Sequence, residues 1–357
     1  MRIGIFDPYL DTLSGGEKYM LSIASCLSSQ HEVFIFWDKA KEAEIRHKTQ
    51  GKLGIDLSSV KFYKNIFGKN VSSISRFFES RKFDAIVYLS DGSIPLVGTK
   101  LYIHFQFPIE WVNGKSLKTK IKLFFVKRIF CNSHFTKYLI DKKLNVISKV
   151  LYPPVSIQIS DCVKKENIIL HVGRFDVDKN ESNYKKQDVI IKVFKKMVDK
   201  GLEDWKFILI VGVKNQDKNK LNKLMQISKG YPIKITENPS NKILWDNYSK
   251  AKIYWHATGY GEDLQKYPEK AEHFGISTVE AMGAGCVPVV FNAGGQKEII
   301  EDNKSGYLCN SIEDFISKTD ALIKDENLLK KMSVASIKRS DMFSGNRFCN
   351  ELRNIIK

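Results

Sequence analysis

The chain has 357 residues, enough for two domains of ordinary size or one large α/β unit. Its composition, 43% hydrophobic and 27% charged, excludes a disordered protein, and no apolar run approaches the roughly 18–20 residues that cross a bilayer. The formal charge is +17, and residues 101–150 alone hold ten basic side chains against two acidic ones, a field that favours an anionic membrane, a nucleic acid or a pyrophosphate-bearing substrate.

In chain order, residues 2–6 read as a buried strand that starts at once, so a signal peptide is not expected. Ser14-Gly15-Gly16-Glu17 follows, then Met20, Ile23, Ala24 and Leu27 at helical spacing, then a strand over 33–37. This is a βαβ unit with glycines at the helix entrance. Further buried strands are expected over 85–89, 100–104 and 128–132, with Ser133 opening a helix. Between the last two lies the basic segment 115–128, where Leu117, Ile121, Phe124 and Phe125 share one helical face. A cationic amphipathic helix of this kind suits an anionic membrane surface, and equally an ordinary core-facing helix.

Tyr152-Pro153-Pro154-Val155 cannot continue a helix or a central strand, so it marks a domain linker. The β/α pattern then restarts: strands at 167–172, 207–212, 253–255 and 287–290, a helix carrying Ile190, Val193, Phe194 and Met197, and helices from about residue 312 onward. Two such series predict two Rossmann-like domains facing each other across a cleft. The six cysteines are scattered without C-x-x-C spacing, which argues against zinc and against a disulfide framework and points to a reducing, cytoplasmic setting.

The densest motif is Glu272-His273-Phe274-Gly275-Ile276-Ser277-Thr278-Val279-Glu280, with Gly283 and Gly285 just beyond it. Carboxylates suit sugar hydroxyls, and backbone amides at a helix start suit phosphate. Gly173-Arg174-Phe175 closes a strand, and Lys185-Lys186-Gln187-Asp188 opens the next helix; cations in these places suit an anionic ligand. His104 sits at a strand's C-terminal end, where α/β sheets place ligand groups.

These motifs, together with Trp255-His256-Ala257-Thr258-Gly259-Tyr260-Gly261 and Gly294-Gly295-Gln296-Lys297-Glu298, resemble glycosyltransferase family 4 over nearly the whole chain. The family comprises retaining GT-B enzymes, and the likeness is closest to the subset that includes mannosyltransferases of lipid-linked oligosaccharide assembly. The resemblance implies an acceptor domain at 1–155, a nucleotide-sugar domain at 156–335, and a C-terminal helix within 336–357 returning to the first domain. It implies that Glu272 contacts the donor sugar, that Phe274, Gly275 and Ile276 present amides, and that Glu280 holds the ribose. Arg174 and Lys185 would hold the diphosphate. Lys186 rivals Lys185, because the insertion 178–184 blurs the register. Gly15 and Gly16 match the donor-phosphate loop, and His104 would face the reacting sugar.

The activity so implied is transfer of a hexose (mannose or glucose) from a GDP- or UDP-sugar to a glycan acceptor, a lipid-linked oligosaccharide in that subset, with retention of configuration. No cofactor and no metal are expected: Asp176-Val177-Asp178 spells the D-x-D of a different transferase fold, but lies in a polar loop beside cations able to serve the phosphate. Other readings are a GT-B epimerase or phosphorylase acting without an acceptor, and a non-catalytic nucleotide-sugar-binding protein, which would be free to lose one of Glu272, Glu280, Arg174 or Lys185. Nucleic acid is not an expected partner, since charge alone suggests it. Peripheral contact with the cytoplasmic membrane face through 115–128 is an expectation.

Overall fold

The computed structural model describes residues 1–12, 15–109, 111, 113–159, 163–177 and 183–356. They form two compact units: Met1–Pro154 with Gly345–Lys357, and Val155–Ser344.

The first unit is built on seven parallel strands: β1 (Arg2–Phe6), β2 (Glu32–Phe36), β3 (Val60–Tyr63), β4 (Ala85–Leu89), β5 (Lys100–Phe105), β6 (Val126–Cys131) and β7 (Lys149–Val150). Their order across the sheet is β3-β2-β1-β4-β5-β6-β7. Strand alternation divides the core between the two faces. Ile3, Ile5, Val33 and Ile35 pack with Met20, Ile23 and Leu27 of the helix Gly15–Ser28. Phe6, Phe34, Phe36, Ile86 and Ile103 fill the other face.

Phe348, Leu352 and Ile355 recur along one stripe of the helix Gly345–Ile355 and join the first of these cores, so the chain's end belongs to the unit in which it began. Tyr19 meets Phe348 edge-on at 5.3 Å, and Arg347 donates to Tyr152 O at 3.0 Å. A disulfide between Cys26 and Cys349, with Cα atoms 5.5 Å apart, ties the same two helices. This corrects the expectation from cysteine spacing: a pair 323 residues apart leaves no local signature. Cys131, Cys286 and Cys309 are free and buried, and Cys162 lies outside the described residues.

The returning segment starts at 345 rather than 336. The helix Glu326–Ser340 stays in the second unit, where Ser333 and Ser336 donate to Gly285 O and Cys286 O at 2.7 and 2.9 Å.

The second unit carries β8 (Glu166–Phe175), β9 (Lys206–Val213), β10 (Ile233–Glu237), β11 (Ala251–His256), β12 (Val287–Phe291) and β13 (Tyr307–Cys309), all parallel in the order β10-β9-β8-β11-β12-β13. Each sheet therefore runs outward in both directions from its first strand. The switch points lie between β1 and β4 and between β8 and β11, where an open α/β sheet leaves a crevice beyond the strand ends.

Candidate active site

The second unit gathers most of the sequence-predicted residues beyond the carboxyl ends of β8 and β11. Glu272 is drawn there by two donors to one oxygen: Lys185 Nζ donates to Oε2 at 2.6 Å, and His256 Nε2 lies 2.6 Å from the same atom. Lys185 and Glu272 are 11% and 13% exposed at the side chain, so the pair is largely desolvated. Burial opposes the charged carboxylate, but the Lys185 charge and the His256 hydrogen bond outweigh it and hold Glu272 well below the usual carboxylate range. No hydrogen bond engages Oε1 among the described residues, which leaves that oxygen for a ligand hydroxyl.

The backbone under Glu272 is fixed by the Gly294-Gly295 pair. Gly295 N–H donates to Glu272 O at 2.7 Å. A Cβ at Gly294 would fall 2.1 Å from Glu272 O, and one at Gly295 would fall 2.5 Å from Phe274 Cα, so neither position accepts a side chain without moving the loop. Gly275 precedes the helix Ile276–Gly283 with φ +116°, a conformation open to glycine. Phe274 is 3% exposed, and the first amides of this helix have no acceptor within it. Glu280, on the same helix, accepts from Tyr248 OH at 3.1 Å, while Tyr254 OH donates to Ser277 Oγ at 2.8 Å.

Three consecutive residues reach the 262–272 segment. Tyr184 OH donates to Ala271 O at 2.8 Å, Lys185 reaches Glu272, and Lys186 pairs with Glu262, which also accepts from Lys270 Nζ at 2.7 Å. Lys186 stands ahead of the helix Gln187–Asp199 with φ 55°, so the two lysines diverge and Lys185 is the one beside Glu272. Arg174, at the end of β8, is 59% exposed with Nε 3.4 Å from Asp176; Gln187 Nε2 donates to its carbonyl at 3.0 Å. Asp176 thus pairs with an arginine, and Asp178 of the D-x-D lies outside the described residues. Among the described residues no group of three or more His, Cys, Asp or Glu is placed to hold a metal.

In the first unit, Gly15 and Gly16 open the helix Gly15–Ser28, and a Cβ on Gly16 would meet Gln106 Oε1 at 2.7 Å; Ser14 lies outside the described residues. His104 lies at the C-terminal end of β5, as expected, and is enclosed there. It is 0% exposed, stacks on Tyr19 at 4.1 Å and Phe130 at 4.9 Å, and donates Nδ1–H to Phe130 O at 3.2 Å. Burial pushes its imidazole down to about 3. Its Nε2 is buried without a hydrogen-bond partner among the described residues.

Sequence reasoning missed Asp7, one residue past β1. It is 2% exposed, accepts from Tyr9 N–H at 2.8 Å, and has Glu17 near enough to add to the effect of burial, which pushes its carboxyl from 3.8 up to about 8. The folded chain therefore keeps a proton that the unfolded chain loses above pH about 4, and this term costs stability progressively as pH rises to about 8. Asp7→Asn should remove it: the variant gains on wild type by up to about 1.4 kcal/mol per pH unit across that window. Urea unfolding at several pH values checks this, and parallel curves for the two proteins would count against it.

The model of the family described as glycosyl transferases group 1 matches residues 155–339, and the chain belongs to that family. It is 24% identical to the alpha-1,3/1,6-mannosyltransferase ALG2 of Dictyostelium discoideum, over 100% of this chain and 98% of that protein. A second relative from Dictyostelium discoideum, a GDP-Man:Man(3)GlcNAc(2)-PP-Dol alpha-1,2-mannosyltransferase, is 24% identical over 83% of this chain and 57% of its own length. Among solved structures, a glycosyltransferase from Rickettsia africae superposes with a TM-score of 0.74 at 16% identity, covering 100% of this chain and 98% of that one. The two parallel sheets and this likeness give the fold class, GT-B.

Proposed function

We propose that the chain moves a hexose from a nucleoside diphosphate sugar to a glycan acceptor carried on a lipid diphosphate, with retention of configuration and without a metal. The carrying observation is the Lys185–Glu272–His256 constellation at the switch point of the second unit, with Glu272 Oε1 left for a ligand. In this reading Glu272 accepts from a sugar hydroxyl and Glu280 from the ribose. Amides of Phe274, Gly275 and Ile276 meet the sugar or phosphate. Arg174 and Lys185 neutralise charge growing on the departing diphosphate. That diphosphate then takes the acceptor hydroxyl's proton as the new glycosidic bond forms. Lys186 braces the loop through Glu262, and Gly15 and Gly16 keep the start of their helix open to a phosphate.

The names of the two relatives support mannose as the sugar, and the second supports GDP as the nucleotide and a lipid diphosphate acceptor. A thermal-shift series with GDP- and UDP-hexoses tests donor use: the true donor should raise the melting temperature in proportion to occupancy, by about 2.7 kcal/mol of stability at a hundredfold excess over Kd. No shift with any nucleoside diphosphate sugar would count against the reading.

No helix among the described residues is long and apolar enough to cross a membrane. Peripheral contact is proposed instead for the helix Leu117–Phe124, which buries none of its residues; Leu117, Ile121 and Phe124 are 73%, 53% and 84% exposed. Partial burial, with the Lys118 and Arg76 charges adding to it, pushes the Lys122 ammonium below its usual range. Flotation with anionic vesicles should carry the wild type and leave Leu117→Ser/Phe124→Ser behind; equal behaviour would remove the helix from the account.

A further inference from the structure

His256 is the last residue of β11 and 1% exposed. Its Nε2 lies 2.6 Å from Glu272 Oε2 and 2.8 Å from Thr258 Oγ1. The ring has little freedom, because His171 and Tyr254 stack near it at 5.7 and 6.3 Å with interplanar angles of 23° and 13°. His171 is anchored in turn by Nδ1–H donating to Trp255 O at 2.9 Å. Nδ1 of His256 is buried without a hydrogen-bond partner among the described residues. A proton there would need an acceptor, so a neutral ring carries its proton on Nε2, facing the carboxylate.

Lys185 reaches the same oxygen, but an ammonium on a four-carbon stem is a mobile point charge and does not fix the plane of a carboxylate. A ring N–H on a strand end is directional and held by the sheet. We propose that His256 is a positioning residue of the donor site, which holds Glu272 by Oε2 so that Oε1 is the oxygen presented to the donor sugar. The proposal rests on Glu272 binding that sugar, as argued above. It gives the Trp255-His256-Ala257-Thr258 motif a function in which Thr258 Oγ1 flanks the nitrogen and the strand supplies rigidity.

His256→Ala, His256→Gln and Glu272→Gln, compared with wild type in full-length protein, test it. Two readouts are needed: kcat with a nucleoside diphosphate hexose, and the melting-temperature gain that GDP-mannose gives beyond GDP, with UDP-glucose and UDP as a second pair. His256→Ala should lower kcat about 100-fold, the order expected when a reacting group is misplaced by about 1 Å. It should also lose the sugar-dependent gain while keeping the gain from the diphosphate alone. His256→Gln can still donate an amide N–H toward Glu272 and should recover at least about tenfold of the lost rate together with the sugar-dependent gain. Wild-type kcat in His256→Ala, or a loss that His256→Gln does not recover although it folds, would overturn the proposal. If Glu272→Gln impairs transfer and His256→Ala does not, only the positioning role falls; if neither does, the donor-site reading itself falls.

Discussion

Glu272→Gln should lower kcat for transfer by about 100- to 1000-fold while the protein still folds cooperatively, the range seen when a single preorganised electrostatic contact is removed from a transition state. The substitution preserves shape and takes away charge. Lys185, 11% exposed, then loses the carboxylate that its ammonium meets at 2.6 Å. Leaving a largely buried cation without its counter-charge costs stability, here about 1–3 kcal/mol, less than for a fully buried pair because both side chains retain some solvent. Rate and unfolding measurements on one preparation separate the two effects. A folded variant with the wild-type rate would remove Glu272 from the site.

Arg174→Ala should show the opposite balance. The side chain is 59% exposed and its contact with Asp176, at 3.4 Å, is an open surface pair, so stability should change by about 0.5 kcal/mol or less. Transfer should nonetheless fall about 100-fold or more, because in the proposed reading Arg174 meets the departing diphosphate, whose charge grows only as the bond breaks. The effect should appear in kcat more than in the donor KM. An unchanged rate would make Arg174 a surface residue and leave the diphosphate to Lys185.

The architecture was legible because both sheets are parallel and enclosed, so their central strands read as continuous apolar runs bounded by turns. The strands that went unread are short or peripheral: Val60–Tyr63, Lys149–Val150, Ile233–Glu237 and Tyr307–Cys309. Ile233–Glu237 lies at a sheet edge and buries none of its residues fully, so it lacks the apolar run of a central strand. The helix Glu42–Leu53 buries only Ile45 and Thr49, too few to show a period.

Within the site, Glu272, Glu280, Arg174 and the lysines stood out because short motifs carry them. Choosing between Lys185 and Lys186 required the backbone: the φ of 55° at Lys186 turns one side chain to Glu272 and the other to Glu262. The contact of His256 with Glu272 joins residues 16 positions apart through a strand end and a loop, and no spacing rule announces it. For Asp7 the obstacle was burial, since an acid after a strand reads as a surface turn until the fold closes over it.

Acceptor-dependent hexosyl transfer from a site organised by Glu272 is the activity proposed for this chain. Its most direct test follows labelled sugar from GDP-mannose or a UDP-hexose, with and without a saccharide linked to a lipid diphosphate, for wild type and Glu272→Gln. Label should appear in the acceptor with wild type alone, with little donor consumed when the acceptor is omitted. Donor turnover at the same rate without acceptor, or equal labelling by Glu272→Gln, would contradict it.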